Sequence, residues 1–137
     1  MPRVSKSDLI VAALRARQTA VAPYSKFKVG AALLTATGQI ITGANVESAS
    51  YGLTCCAERV ALFKALTGGE REFVAVAVVA RMAGAPVPCG ACRQLLAEYA
   101  PAAKVWAADS RYPRKIREFS VTELLPNAFL RVPEVRG

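Results

Sequence analysis

The stretch FVAVAVVA, residues 73–80, holds no polar residue and no alternation of apolar with polar. A strand with one face in water alternates. An unbroken apolar run of this length therefore marks a strand covered on both faces, as at the centre of a sheet with helices on either side. The pair Gly68-Gly69 just before it is a helix stop, and the segment from near Cys56 reads as that helix. After it, the loop RMAGAPVP (81–88) leads into a second helix from about Gly90 to Tyr99. Then come KVWAA (104–108) as a strand, DSRYPRK (109–115) as a turn and IREFS (116–120) as a last strand. Ser120 and Glu123 have capping-box spacing for a short closing helix that Pro126 cuts off.

Upstream of the central run, KVGAALLT (28–35) and IITGANV (40–46) flank the tight turn ATGQ (36–39) and predict a hairpin. PYSKF (23–27) is a loop. Ser5 with Asp8 predicts a capped helix whose apolar face is Leu9, Ile10, Ala13 and Leu14, running to about Ala22 ahead of Pro23. This order gives an α/β fold, a three-layer sandwich with a mixed, roughly five-stranded sheet flanked by helices. No linker or repeat interrupts it, so residues 1–137 are expected to form one domain.

The composition, 53% hydrophobic and 20% charged with no low-complexity stretch, argues against disorder. LIVAAL (9–14) follows Asp8 and runs into Arg15 and Arg17, too short and interrupted for a signal peptide or a membrane span. A soluble, cytoplasmic protein without membrane contact is the expectation. The net charge of +8 gathers in two places: Arg3, Lys6, Arg15, Arg17, Lys26 and Lys28 near the start, and RYPRKIR at 111–117. Such clusters occur in nucleic-acid binders and on ordinary solvated surfaces alike. With no aromatic-interleaved basic stretch, the second explanation is favoured.

Histidine is absent from the chain, which excludes a Ser-His-Asp or Cys-His nucleophile and any histidine metal ligand. A metal would have to sit on cysteine or carboxylate, and acid-base work near neutral pH would fall to a carboxylate, tyrosine or lysine. PCGAC (88–92) sets Cys89 and Cys92 three apart at a predicted helix start, where the helix dipole favours thiolates. By itself the pair is ambiguous between a zinc half-site, a redox dithiol and two buried thiols. TCCAERVAL (54–62) adds Cys55 or Cys56 at the other helix start. Helices that follow adjacent parallel strands begin at one edge of the sheet, so three thiolates could meet there. Zinc on three protein ligands keeps its fourth position open for water, as in a catalytic site. Glu58, two residues beyond Cys56, is placed to move protons without binding metal, and Arg59 and Gln94 could support the thiolates.

Together, CAE (56–58) and PCGAC (88–92) resemble the signature of the zinc-dependent nucleobase deaminases. From APYSKFKVGAALLT through GANVESASYG and CAERVALFKA to PCGACRQLL and ELLPNAF, nearly the full chain is similar to the small homotetrameric type of cytidine deaminase. The resemblance implies hydrolytic deamination of cytidine and deoxycytidine to uridine and deoxyuridine, with release of ammonia, in pyrimidine salvage. It implies one Zn²⁺ per chain on Cys56, Cys89 and Cys92, Glu58 as proton shuttle, and Arg59 and Gln94 as thiolate supports. Phe27 would pack on the pyrimidine, Asn45 and Glu47 would hold the ribose, and Ala57 and Val87 would also face the substrate. Val87 stands where relatives often carry serine; that residue contributes a backbone carbonyl, which valine also has. Tyr51 and Phe129 would reach a site across subunit contacts in a homotetramer.

A carboxylate at Glu47 would repel a phosphate placed at the sugar, which argues for free nucleosides over nucleotides or nucleic acid. Two other deaminase-independent readings stay open: a zinc-stabilised nucleic-acid-binding module and a redox dithiol protein. A deaminase of a modified nucleoside such as blasticidin S shares the zinc motif. Cys55, beside the expected ligand Cys56, has no partner and is read as a small buried filler.

Overall fold

The computed structural model describes residues 3–133. In chain order the elements are helix α1 (Lys6–Arg17), strands β1 (Val29–Thr35) and β2 (Ile40–Ala44), a 3-10 turn at Tyr51–Leu53, helix α2 (Ala57–Thr67), strand β3 (Phe73–Ala80), helix α3 (Gly90–Tyr99), strands β4 (Lys104–Asp109) and β5 (Arg117–Ser120), and helix α4 (Val121–Leu124). The sheet order is β2-β1-β3-β4-β5, with FVAVAVVA in the centre as its unbroken apolar run predicts. The sheet is mixed: β3 runs parallel to β4 and antiparallel to β1, and the other neighbours are antiparallel.

Both faces of β3 are covered. Val76 and Val78 pack with Ala61, Leu62 and Leu96 of α2 and α3, while Ala75, Ala77 and Val79 pack with Leu9, Ile10 and Ala13 of α1. These three layers are the expected sandwich. Two glycines inside strands mark where helices come too close for a side chain. A Cβ on Gly30 would stand 2.0 Å from the Ala13 carbonyl oxygen in α1. One on Gly43 would stand 2.5 Å from the Ala61 nitrogen in α2. Among the described residues, no helix is long and apolar enough to cross a membrane.

Two expectations are corrected. The first helix carries the Ser5–Asp8 capping box but ends at Arg17, with Gln18 as its C-cap, and not near Ala22. Val21 is instead drawn into an extended bridge: its amide donates to Asn45, and its carbonyl accepts from Glu47. The strands that precede α2 and α3 are parallel in direction but not adjacent, because β1 lies between β2 and β3. Both helices still start at one edge.

Candidate metal centre and adjoining pocket

Strand register builds that edge. Gly30 lies opposite Ala44, Val29 opposite Ala80, and Ala80 opposite Asp109, so the start of β1 meets the ends of β2, β3 and β4. Helices α2 and α3 begin there with cysteine at the N-cap. Cys56 and Cys89 both have extended backbones, and neither side chain makes a capping hydrogen bond. Serine or aspartate at an N-cap would turn its oxygen onto the helix amides. A thiol leaves its sulfur free for other partners. Cys92, one turn into α3, faces the same way as Cys89.

The three sulfurs converge. Sγ of Cys56 and Cys89 are 3.7 Å apart, and Sγ of Cys89 and Cys92 are 3.5 Å apart. All three lie within 4.8 Å of one another. Tetrahedral zinc with bonds of about 2.3 Å to sulfur needs its ligand sulfurs about 3.8 Å apart, so the donor set fits that ion with one position left over. Cys55 stands outside the cluster. Its backbone pairs with Val46 on both sides, and burial pushes its thiol pKa up.

Charge is arranged to favour a thiolate at Cys56. The Arg59 guanidinium donates to its sulfur across 3.4 Å, and the Cys89 and Cys92 sulfurs stand beside it. Hydrogen bonding with Cys92, Arg59 and Cys89 brings the Cys56 thiol down to about 5 despite its partial burial, while Cys92 is pushed up. Arg59 also reaches the Thr54 carbonyl, and its buried Nε has no partner among the described residues. Glu58, only 6% exposed, is raised to about 7, chiefly by burial and then by the negative charge at Cys56.

A cavity of about 280 Å³ opens onto this cluster. Its walls bring together Phe27, Asn45, Glu47, Ala57 and Val87 with Cys56, Glu58 and Cys89. Asn45 clamps the loop that carries Phe27: its Oδ1 accepts from the Val29 amide at 2.9 Å, and its Nδ2 donates to the Phe27 carbonyl at 2.8 Å. The Glu47 carboxylate accepts from the amides of Tyr24 and Ser25 and from the Ser25 hydroxyl, which holds its pKa below the usual carboxylate range. A second cavity of about 400 Å³ shares Glu47 and Thr54 with the first and includes Tyr51.

Two residues stand elsewhere. Gln94 does not touch a sulfur: its Nε2 donates to the Phe129 carbonyl at 2.6 Å and to Glu98 at 3.2 Å, because the next turn of α3 carries it away from the thiols. Phe129 is thereby tied to α3 of its own chain, with the residue 65% exposed. Three residues that the sequence reading left unassigned also shape the site. Arg93 donates to the Pro88 carbonyl at 2.7 Å and to the Leu124 carbonyl at 3.1 Å, fixing the turn before Cys89 against the end of α4. Ser25 braces Glu47, and Met82 lines the cavity wall. Only Arg93 had a signal, its place directly after Cys92.

Residues 4–108 match the family model described as the cytidine and deoxycytidylate deaminase zinc-binding region. The chain is 55% identical over 127 residues to a cytidine deaminase of Halalkalibacterium halodurans, a span of 92% of this chain and 95% of that protein. A blasticidin-S deaminase of Bacillus cereus is more distant, at 30% identity over 93% of this chain and 96% of that one. Among solved structures, a cytidine deaminase from Burkholderia pseudomallei matches with a TM-score of 0.87 at 49% identity, covering 91% of this chain and 99% of that chain. The match runs through both helix starts, and the chain belongs to the zinc-dependent cytidine and deoxycytidylate deaminase family.

Proposed function

We propose that this chain hydrolyses cytidine and deoxycytidine to uridine and deoxyuridine, releasing ammonia. The observation that carries the reading is the buried carboxylate of Glu58 in the same cavity wall as Cys56 and Cys89 of the three-thiol cluster. Cys56, Cys89 and Cys92 are the residues that would hold the zinc. When bound, that ion supplies a Lewis acid that makes water nucleophilic near neutral pH.

The remaining work belongs to side chains. Glu58, kept from bulk water, takes a proton from the attacking water and passes it to N3 of the base, and a later proton goes to the departing amine. Its near-neutral pKa lets one group do both. Arg59 and the two helix starts stabilise thiolate charge. Phe27 packs on the pyrimidine, with Ala57 and Val87 beside it. Asn45 and Glu47 have hydrogen-bonding capacity left beyond their loop contacts, and that capacity is turned to the ribose. Glu47 also disfavours a phosphate on the sugar.

Zinc content and cytidine turnover, followed by ultraviolet absorbance on one sample, test this directly. About one zinc per chain with measurable turnover is expected; full zinc with negligible turnover would overturn it. Glu58→Gln is expected to keep zinc and fold while lowering kcat by about 10²–10⁴. Turnover on blasticidin S should be weaker than on cytidine, in line with the lower identity to the Bacillus cereus relative. The four free thiols suit a reducing compartment, and we assign the chain to the cytoplasm. We further propose a homotetramer, for which the exposed apolar residues Tyr51, Leu53, Phe129 and Leu130 offer subunit-contact surface.

A further inference from the structure

On the far side of the 82–87 loop lies a third cavity, of about 450 Å³, that the deaminase site does not use. Ala83, Gly84 and Ala85 face it, whereas Met82, Pro86 and Val87 face the candidate active site, so the loop is a partition. Asp109, Arg111, Tyr112, Lys115 and Arg117 complete its wall.

Charge is what sets this cavity apart. Asp109, at the end of β4, is 7% exposed and is met by the Arg111 guanidinium at 2.7 Å and by the Arg111 amide at 3.0 Å. That pair is neutral. Lys115 and Arg117 remain, and among the described residues neither has a carboxylate within 4.0 Å. Arg117 is instead held in place by its bond to the Gly84 carbonyl at 2.8 Å and by the Phe119 ring at 4.9 Å. Lys115 sits over the Tyr112 ring at 5.8 Å, and Arg111 sits at the same distance from that ring. Like charges brought to one concave wall repel, unless an anion lies between them.

We propose that this cavity is an anion site for a phosphate group, free or as a phosphomonoester, with Lys115 and Arg117 as its charge partners. Arg117 keeps Nε and its second terminal nitrogen for the ligand, a fork suited to phosphate oxygens. A nucleic-acid strand is disfavoured, because the Tyr112 ring on which a base would stack already carries two cations.

Calorimetric titration of the zinc-loaded protein at low ionic strength, with inorganic phosphate and with adenosine 5′-monophosphate, tests the site. One saturable site per chain is expected, weakened about tenfold or more in Lys115→Gln and in Arg117→Gln. Lys28→Gln, at a basic position away from the cavity, should change nothing. Equal affinity for both ligands would assign the phosphate alone, and tighter binding of the nucleotide would assign the phosphomonoester. Absence of saturable binding to either ligand up to about 10 mM would overturn the proposal. Binding that is the same in the wild type and both variants would overturn it too. Thermal midpoints and zinc content establish that each variant is folded, and either variant alone suffices.

Discussion

Cysteine at a helix N-cap exchanges local stability for a free sulfur. At Cys56 and Cys89 the first amides of α2 and α3 lose the side-chain partner that serine would give them, a difference of about 1 kcal/mol per helix. The prediction for Cys56→Ser follows. Serine can cap α2, so the metal-free protein should unfold at an unchanged or slightly higher midpoint, while bound zinc and activity are lost. Cys55→Ser should keep both, because its thiol lies outside the cluster. Metal analysis and thermal unfolding in chelator separate the two, and equal zinc loss would refute the assignment. The cluster was legible because spacing from a helix start fixes where a side chain points. Gln94 was not, since a donor two positions past Cys92 could reach the sulfurs or the Phe129 carbonyl, and packing chose the latter. Arg93 acts through two carbonyls, one of them 31 positions along the chain, and residue spacing carries no trace of that.

At the scale of elements, the contact of α2 with β2 sets where Cys56 and Glu58 stand. Gly43 lets the helix backbone approach to a distance no side chain permits. Gly43→Ala should push α2 outward, costing about 1–3 kcal/mol by analogy with overpacked cores. It should also weaken zinc binding although it touches no ligand. Competition with a chromophoric chelator measures the second effect, and unchanged affinity in a destabilised protein would refute the coupling. The elements themselves were mostly readable: FVAVAVVA announced a covered strand, and the Ser5–Asp8 and Ser120–Glu123 boxes announced two helix starts. The end of α1 was not readable. Ala20 to Ala22 continue a helix-compatible pattern, and only the pairing of Val21 with the Asn45–Glu47 segment takes them out of it.

At the scale of the whole molecule, apolar side chains around the 3-10 turn stand in water, with Tyr51 82% and Leu53 74% exposed. Light scattering should give a mass of about four chains, and Leu53→Glu should shift it downward if this turn is a subunit contact. A wild-type monomer with full activity would refute the assembly. The three-layer plan could be inferred from the alternation of elements, but the sheet order could not. Nothing local tells β1 to lie between β2 and β3; long-range pairing decides it.

That intervening strand makes the metal a gauge of strand alignment. Cys56 follows β2 and the Cys89–Cys92 pair follows β3, and β1 is hydrogen-bonded to both of those strands. A slip of one residue on either side would move the sulfurs apart by about 3.3 Å, more than a zinc coordination sphere tolerates. Only the correctly aligned chain can chelate with all three thiols. Bound zinc would therefore favour this sheet alignment over neighbouring registers that misplace one of the thiols.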